Sequence, residues 1–349
     1  MLILFVSSFF LSHCGSGERK GEGRNGPDLL AFYYPWYGNP SVSGRWIHWN
    51  ASGHNPDKKI DGLPDIASPF HPFLGPYDSA DTAVIEQHLR WAEYAGIDAF
   101  IVSWWGRGDL TDRNLEKLFN IDERSGGKIR LTLYYEGNFT SPATIEDDLD
   151  YICGKYVGRN LFYRYGGRPV MFLYGRAIFP AFWDLASFSR WRHRFYIDWL
   201  DLIVMAKEKC NLLLVADVMT PRFSSAMEQV VRMGFEAVHV YNPALEFYSN
   251  FDPPSHYAEM ADFAHSYNLL FGLTVIPGYD DGKLGRTFTF ELPRNNGLFF
   301  SMLIEEARKF NPDWIIITSF NEWHEGTQIE PAIEYGNKYL KLVRGYLGR

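Results

Sequence analysis

Residues 81–105 read DTAVIEQHLRWAEYAGIDAFIVSWW and join a helical pattern to an apolar run. The first part has the apolar periodicity of a helix, which Asp81 can cap at its start and Gly96 can end. The second part, DAFIVSWW (98–105), is rich in β-branched and aromatic residues, a composition typical of a strand. A helix followed by such a strand is the repeating unit of parallel α/β folds.

Seven further runs resemble DAFIVSWW and are separated by segments with helical periodicity. Eight strands alternating with helices favour a closed barrel, so we predict a single (β/α)8 TIM barrel over residues 28–349. This region contains no sequence repeat and no Gly/Ser linker, which gives a second domain no support. The seven runs are LLAFYYPWY (29–37), IRLTLYYE (129–136), PVMFLYG (169–175), LLLVADV (212–218), AVHVYNP (237–243), LLFGLTVIPGY (269–279) and WIIITSF (314–320).

Composition restricts the possible partners. The chain of 349 residues is 46% hydrophobic and 22% charged, as in globular proteins, and its net charge is −8. The basic residues form no long run that could neutralise phosphates and release their counterions, which is what drives nucleic-acid binding. We therefore expect a neutral substrate and no nucleic-acid partner. Aromatic residues make up 17% of the chain, including 11 Trp, and their faces can stack on sugar rings. We expect a monomer.

Residues 1–27 form a signal-like apolar segment followed by a flexible, Gly- and charge-rich linker. The apolar run is shorter than the ~20 residues that span a bilayer. The stretch Leu11-Ser12-His13-Cys14 resembles a bacterial lipoprotein cleavage box, in which Cys14 would carry a lipid anchor. We therefore predict export to the periplasm or to a membrane-anchored position at the cell surface. A truncated signal or a misplaced start codon is the alternative.

The other two cysteines, Cys153 and Cys210, have no neighbouring Cys or His at the spacing of metal ligands. Each lies in or directly after a predicted helix. We expect both to be buried free thiols.

Active sites of (β/α)8 barrels are built at the carboxyl ends of the strands. The long connection 38–80, rich in Gly, Pro, His and aromatic residues, should cover this end of the barrel. Three carboxylates, Glu136, Glu322 and Glu325, follow predicted strands together with many Tyr and Trp residues. Glycosidic cleavage uses one protonated and one ionised carboxyl group, so this combination predicts a sugar site.

Each of these residues also has a plain structural interpretation. Glu136 alone could cap a helix or pair with an arginine, and His324 could be a buried, hydrogen-bonded histidine. Glu322 and Glu325 are three residues apart, which places both on one side of a helical turn, and crowded carboxylates cost energy unless a site uses them. A metal site at Glu322, His324 and Glu325 lacks a further ligand with a recognisable pattern, so no metal is predicted.

Five motifs resemble glycoside hydrolase family 99, the endo-α-1,2-mannosidases and endo-α-1,2-mannanases. They span nearly the whole chain after residue 28, and NEWHEGTQIE is long and specific. The resemblance implies a retaining hydrolase that cleaves internal α-1,2 bonds of α-mannan or high-mannose oligosaccharides, without a cofactor. The motifs are AFYYPWYGNP (31–40), GRWIHWN (44–50), LGPYDSAD (74–81), LPRNNG (292–297) and ITSFNEWHEGTQIEPA (317–332).

The resemblance also implies roles for single residues. Glu322 would remove the proton from the 2-hydroxyl of the reacting sugar, and Glu325 would protonate the leaving oxygen and later activate water. The intermediate would be a 1,2-anhydro sugar. Residues expected to contact the substrate are Tyr34, His48, His54, Trp104, Trp105, Glu136, Tyr241, Arg294 and His324.

Trp105 bears on the sugar that caps the chain. The sugar that precedes the reacting mannose binds in the neighbouring subsite. In bacterial members that accept mannose there, the wall of that subsite is Trp, as in this chain, whereas animal members have Tyr.

Two other functions are possible for the same fold. One is a mannan-binding barrel of a glycan-uptake system, which the intact Glu322 and Glu325 disfavour. The other is a barrel associated with glycan synthesis, whose resemblance is weaker because HEGTQIE matches the hydrolases.

Overall fold

Eight parallel strands close into a barrel in a computed structural model, which describes residues 26–137, 142–179, 198–219 and 224–346. The predicted signal segment and Cys14 lie outside these ranges, as do residues 180–197. The barrel strands are β1 (Asp28–Tyr33), β2 (Ala99–Trp104), β3 (Arg130–Tyr135), β4 (Arg168–Leu173), β5 (Leu213–Asp217), β6 (Ala237–His239), β7 (Leu270–Val275) and β8 (Trp314–Ile317).

Each strand pairs in parallel with its neighbours in the chain, and β1 closes the sheet against β8. Ala31 lies opposite Ile317 of β8 on one side and Phe100 of β2 on the other. This arrangement confirms the predicted TIM barrel, and each of the eight predicted runs contains a strand. Several predicted runs are longer than the strands they contain; the run 29–37, for example, continues past the end of β1 at Tyr33. The residues beyond these ends form the loops at the mouth of the barrel.

Within the described ranges, eight longer helices surround the sheet. In α1 the side chain of Asp81 accepts a hydrogen bond from the Ala83 N–H, and Gly96 ends the helix at φ 80°, as predicted. No helix within the described ranges is long and apolar enough to cross a membrane. The helices are α1 (Thr82–Ala95), α2 (Leu110–Arg124), α3 (Pro142–Lys155), α4 (Trp199–Cys210), α5 (Ser224–Arg232), α6 (Pro253–Tyr267), α7 (Leu298–Arg308) and α8 (Lys338–Tyr346).

The core has two layers because successive strand residues point to opposite faces. In β1, Leu30 and Phe32 pack inside the barrel, whereas Leu29 and Ala31 pack toward the helices. The lumen is filled by large rings such as Trp314, which is fully buried. A ligand can therefore bind at the mouth of the barrel but not within it.

Cys153 of α3 and Cys210 at the end of α4 form a disulfide, with their Cα atoms 5.8 Å apart. The prediction of two free thiols is therefore wrong. The cysteines are 57 residues apart in the sequence. The pairing arises because helices that follow consecutive strands of the barrel lie side by side, a relation that cysteine spacing does not reveal.

We expect replacing both cysteines by serine to lower the free energy of unfolding by ~2–4 kcal/mol, since the disulfide restricts the unfolded chain. Urea denaturation of the wild type and of the Cys153→Ser/Cys210→Ser variant measures the difference. A reductant should destabilise the wild type and leave the variant unchanged. Equal unfolding midpoints for the two proteins would contradict this expectation.

Candidate active site

The segment after β8 folds into a compact loop that carries two of the three carboxylates. The Ser319 N–H donates to the Thr327 carbonyl at 2.9 Å, and the Glu322 N–H donates to the Ser319 hydroxyl oxygen at 2.7 Å. The Thr327 N–H donates back to the Glu322 carbonyl at 3.3 Å. These bonds close the loop and fix the backbone that carries Glu322 and Glu325.

A buried network joins this loop to the segment after β1. The Asn321 side chain bonds both backbone groups of Tyr34, at 2.7 and 3.0 Å. The Trp323 N–H donates to the Tyr37 hydroxyl at 3.0 Å, and its indole N–H donates to the Glu330 carboxylate at 3.0 Å. All five side chains are buried. The network holds the loop in place from behind, as a preorganised site requires.

Glu322 is buried, and only one of its oxygens is engaged by the protein. Its Oε1 accepts a hydrogen bond from the His324 backbone N–H at 3.0 Å, whereas Oε2 has no partner among the described residues. Burial raises the pKa of Glu322 well above its usual value, and the nearby charge of Glu325 raises it further. The free oxygen can form a hydrogen bond with a ligand.

Glu322, Glu325 and Glu136 form a cluster of carboxyl groups. Glu325 lies at its edge, with 19% of its side chain exposed. Its Oε2 accepts a hydrogen bond from the Asn242 amide at 3.2 Å, and Arg286 Nη1 lies 3.4 Å from Oε1. Burial raises the pKa of Glu325, and the Arg286 guanidinium partly opposes this shift. Arg286 also pairs with the buried carboxylate of Asp281 at 3.1 Å. Neither Arg286 nor Asn242 was among the predicted site residues.

Glu136, directly after β3, is the third carboxyl group of the cluster. Burial raises its pKa to about 8, and a hydrogen bond with Ser103 opposes the shift while the charge of Glu325 adds to it. The group is therefore mostly protonated at neutral pH. Its Oε1 has no partner among the described residues, which leaves it free to bond a ligand.

Two tyrosines complete this group, with the Tyr34 hydroxyl 2.5 Å from that of Tyr241. The charges of Glu325 and Glu322 contribute to a raised pKa for Tyr241, after the larger effect of burial. Below it, the buried Asp217 accepts the backbone N–H of Tyr241 at 3.1 Å, and burial raises the pKa of Asp217 to about 6. Asp217 was not predicted, although an acidic residue within the apolar run LLLVADV was a visible signal.

His324 and His48 line the mouth beside Glu322. His324 Nε2 lies 2.9 Å from the His48 carbonyl, which fits the interpretation of His324 as a buried, hydrogen-bonded histidine. The His48 ring stacks on Trp36 with 4.7 Å between centroids. Burial lowers the pKa of both histidines to about 4, so both are neutral at pH 7.

Trp105 and His54 also lie on the mouth side of the barrel. Trp105 is 43% exposed, and its indole N–H donates to the Ser103 hydroxyl at 3.1 Å. With Trp36 and His48 it lines a cavity of about 440 Å³. His54 lies farther out, where its ring bonds Asp65 at 2.5 Å and the Lys283 carbonyl at 3.0 Å, and so joins two loops.

Trp104 and Arg294 do not belong to this cluster, contrary to expectation. Trp104 is fully buried toward the helices, where its indole N–H donates to Asp112 at 2.9 Å. Arg294 donates to the carbonyls of Gly326 and Gln328, both at 2.8 Å. Both side chains therefore support the fold, and Arg294 holds the loop that carries Glu325. The Arg294 guanidinium also lies 4.7–4.9 Å from the rings of Phe70, Tyr335 and Tyr339.

We expect Arg286→Met to move the pH profile of kcat/KM toward higher pH. The guanidinium lowers the pKa of Glu325 and of Glu322, so both carboxyl groups should ionise at higher pH without it. Lys283→Met, on the same loop, is the control and should leave the profile in place. A profile that stays unchanged, or moves to lower pH, would contradict this electrostatic account.

A (β/α)8 barrel whose strand ends present three clustered carboxyl groups among aromatic rings has the architecture of a glycoside hydrolase. Residues 27–343 match the profile of glycosyl hydrolase family 99, and the chain belongs to that family. The chain is thus a glycoside hydrolase. The described residues include no group of three His, Cys, Asp or Glu side chains that could hold a metal ion.

Similar proteins come from animals and bacteria. The chain is 32% identical to the glycoprotein endo-alpha-1,2-mannosidase of Xenopus laevis, over 90% of this chain and 72% of that protein. The mouse protein of the same name is 29% identical, over 87% and 68%. The structure of the family 99 endo-alpha-mannosidase from Bacteroides thetaiotaomicron, in complex with bis-tris-propane, is similar with a TM-score of 0.73 at 28% identity. That comparison covers 92% of this chain and 96% of the other.

Proposed function

We propose that this protein is a retaining endo-α-1,2-mannosidase that cleaves internal bonds of α-mannan or high-mannose oligosaccharides. The observation that carries the proposal is the pair Glu322 and Glu325, held on one braced loop in the mouth of the barrel. The names of the related animal and bacterial proteins support the substrate class. The cavity of about 440 Å³ is lined by the aromatic rings of Trp36 and Trp105, which suit the flat faces of sugars.

The first chemical step uses the sugar's own 2-hydroxyl group. Glu322, as a carboxylate, takes the proton from this hydroxyl, and the 2-oxygen attacks the anomeric carbon from the side opposite the leaving group. The glycosidic bond breaks, and its oxygen takes a proton from Glu325. A 1,2-anhydro sugar and the shortened chain result. In an α-mannoside the axial 2-oxygen already lies opposite the leaving group, which makes this attack possible.

The second step opens the 1,2-anhydro sugar with water. Glu325, now ionised, takes a proton from the water, whose oxygen bonds to the anomeric carbon. The bond between that carbon and the 2-oxygen breaks, and the 2-oxygen recovers its proton from Glu322. Two inversions at the same carbon give an α product. The scheme differs from the usual retaining mechanism, in which a carboxylate itself attacks the sugar.

The roles require the proton of the pair to lie on Glu325 when the substrate is bound. Arg286 lies 3.4 Å from Glu325, and its charge opposes the rise in the pKa of Glu325 that burial causes. The two groups titrate as a pair, so their pH profile reports the pair and not either residue.

Digestion of yeast-type α-mannan tests the proposed function. We expect released fragments of two or more sugars, identified by mass, because an endo-acting enzyme cuts within the chain. The Glu322→Gln/Glu325→Gln double variant should release none. Release of single mannose units would indicate an exo-acting enzyme. Binding of mannan without any cleavage would favour the mannan-binding alternative.

Trp105 should determine part of the choice between capping sugars. We expect Trp105→Tyr to shift preference from mannose-capped toward glucose-capped substrates, by no more than ~1–3 kcal/mol, because only pocket shape and one hydroxyl change. The ratio of kcat/KM for the two matched oligosaccharides measures this shift. Phe73→Tyr, at an exposed position of the 38–80 loop, serves as the control. An unchanged ratio in Trp105→Tyr would place the wall of this subsite elsewhere.

We also propose that the protein acts after export, in the periplasm or at the cell surface. The disulfide between Cys153 and Cys210 supports an oxidising compartment, where such bonds persist. A lipid anchor at Cys14 and a monomeric state remain parts of this proposal. Labelling with a radioactive fatty acid, compared between wild type and Cys14→Ser, tests the anchor.

A further inference from the structure

A second cavity adjoins the one beside Trp105. It has a volume of about 650 Å³ and includes Trp46 and Asn50 in its lining. The two cavities share Arg45, Ile47 and His48 in their linings and therefore adjoin each other, and we refer to them together as the cleft. Two lining residues connect the cleft to the active site: the Trp36 ring lies 4.6 Å from that of Tyr34, and the His48 ring lies 5.4 Å from that of His324.

The loop that forms the outer part of this cleft is built to hold its shape. Gly38 and Ile47 exchange two backbone hydrogen bonds, at 3.1 and 3.0 Å, which close the segment between them. A Cβ at Gly38 would lie 2.8 Å from the Ile47 side chain, so this close approach requires glycine. The indole N–H of Trp46 donates to Asp57 at 3.0 Å, which fixes the ring.

Arg45 stands at the junction of the two cavities. Its side chain is exposed, and within the described part of the chain no hydrogen bond or ion pair holds its guanidinium. Arginine donates from several N–H groups in a planar fork, which suits neighbouring hydroxyl groups of a sugar. A fixed indole ring and a free guanidinium at one end of a cleft are the two components of a carbohydrate subsite.

We propose that Arg45 and Trp46 form a further sugar subsite, which binds the third residue of the chain on the non-reducing side of the cleaved bond. The first residue lies at the carboxylates and the second beside Trp105. The ligand is a neutral hexose, bound by stacking on Trp46 and by hydrogen bonds from Arg45. The enzyme then prefers branches of three or more sugars over a capped disaccharide. This inference rests on the proposed function.

A ladder of α-mannosides with one to four sugars on the non-reducing side, all with the same leaving group, tests the subsite. For the wild type we expect kcat/KM to rise about ten- to a hundredfold when the third sugar is added, through a lower KM. Arg45→Ala and Trp46→Ala should each lose this increase, so that kcat/KM for the three-sugar substrate comes close to that for the two-sugar substrate. Trp46→Phe keeps an aromatic face and should retain part of the increase.

Arg130→Ala is the matched control. Arg130 also lines an open cavity of about 650 Å³, but at the start of β3, at the opposite end of the barrel. This variant should keep the full increase. Cleavage of the two-sugar substrate without any gain from a third sugar would overturn the subsite and leave the proposed function intact, as would a full gain in Arg45→Ala and Trp46→Ala. Failure to cleave any mannoside in the ladder would overturn both proposals.

Discussion

Glu325→Gln and Glu322→Gln are each expected to lower kcat by about 10²–10⁴-fold while the substrate still binds, because proton transfer contributes that much to catalysis. The amide keeps the size of the carboxyl group and removes its ability to exchange a proton. Steady-state kinetics measure the first effect, and calorimetry with an intact oligosaccharide measures the second. Glu291→Gln, an exposed carboxylate near the mouth, is the control. Near-native turnover in either variant would show that its role is assigned wrongly.

A substrate with a good leaving group separates the two roles. A fluoride or dinitrophenyl group departs without a proton, so the acid becomes dispensable for the first step whereas the base does not. Glu325→Gln should therefore recover much of the rate of leaving-group release on such a substrate, and Glu322→Gln should not. The opposite pattern would exchange the roles of the two carboxyl groups.

Removal of the 2-hydroxyl from the reacting mannose is expected to abolish cleavage, since this oxygen is the nucleophile in the proposed mechanism. The 2-deoxy substrate should still bind, because its other sugars keep their contacts. A 3-deoxy substrate of equal length controls for the loss of one hydrogen bond. Cleavage of the 2-deoxy substrate at a rate similar to that of the 3-deoxy control would exclude the 2-oxygen as nucleophile.

A 2-fluoro mannoside with a good leaving group extends this test. A carboxylate nucleophile would attack it and leave a covalent glycosyl-enzyme that breaks down slowly. We expect no such adduct on Glu136, Glu322 or Glu325 by intact-protein mass spectrometry. A trapped adduct would restore the usual double displacement.

The barrel was predictable because its signals are local. Each strand is an apolar run. The two caps of α1, Asp81 and Gly96, directly flank the helix in the sequence. The grouping of Glu136 with Glu322 and Glu325 also followed from sequence. Once the runs are strands of one barrel, their carboxyl ends must meet at one face.

Residues whose position depends on neighbours from distant segments were missed. Arg286 reaches Glu325 from the loop after β7, and no motif or spacing in the sequence connects the two. Arg294 lies in a recognisable motif, yet its guanidinium packs among aromatic rings instead of facing the substrate cleft. Cys153 and Cys210 meet only because α3 and α4 are adjacent.

Trp104 and Trp105 show a different limit. Trp104 is the last residue of β2, and Trp105 follows it directly. Consecutive residues of an extended chain face opposite sides, so only one of the two could line the mouth. Trp104 packs toward the helices with Asp112, whereas Trp105 is exposed and bonds Ser103. The alternation was available from the sequence, but which of the two indoles faces the mouth depends on the register of β2 in the barrel.

Proton NMR during the first minutes of cleavage of a capped α-1,2-mannoside tests the central claim most directly, because it identifies the product and its anomeric form before mutarotation. The account predicts a released fragment of two or more sugars whose new reducing end appears first as the α anomer. First appearance of the β anomer, or release of single sugars, would contradict retaining endo-cleavage by Glu322 and Glu325.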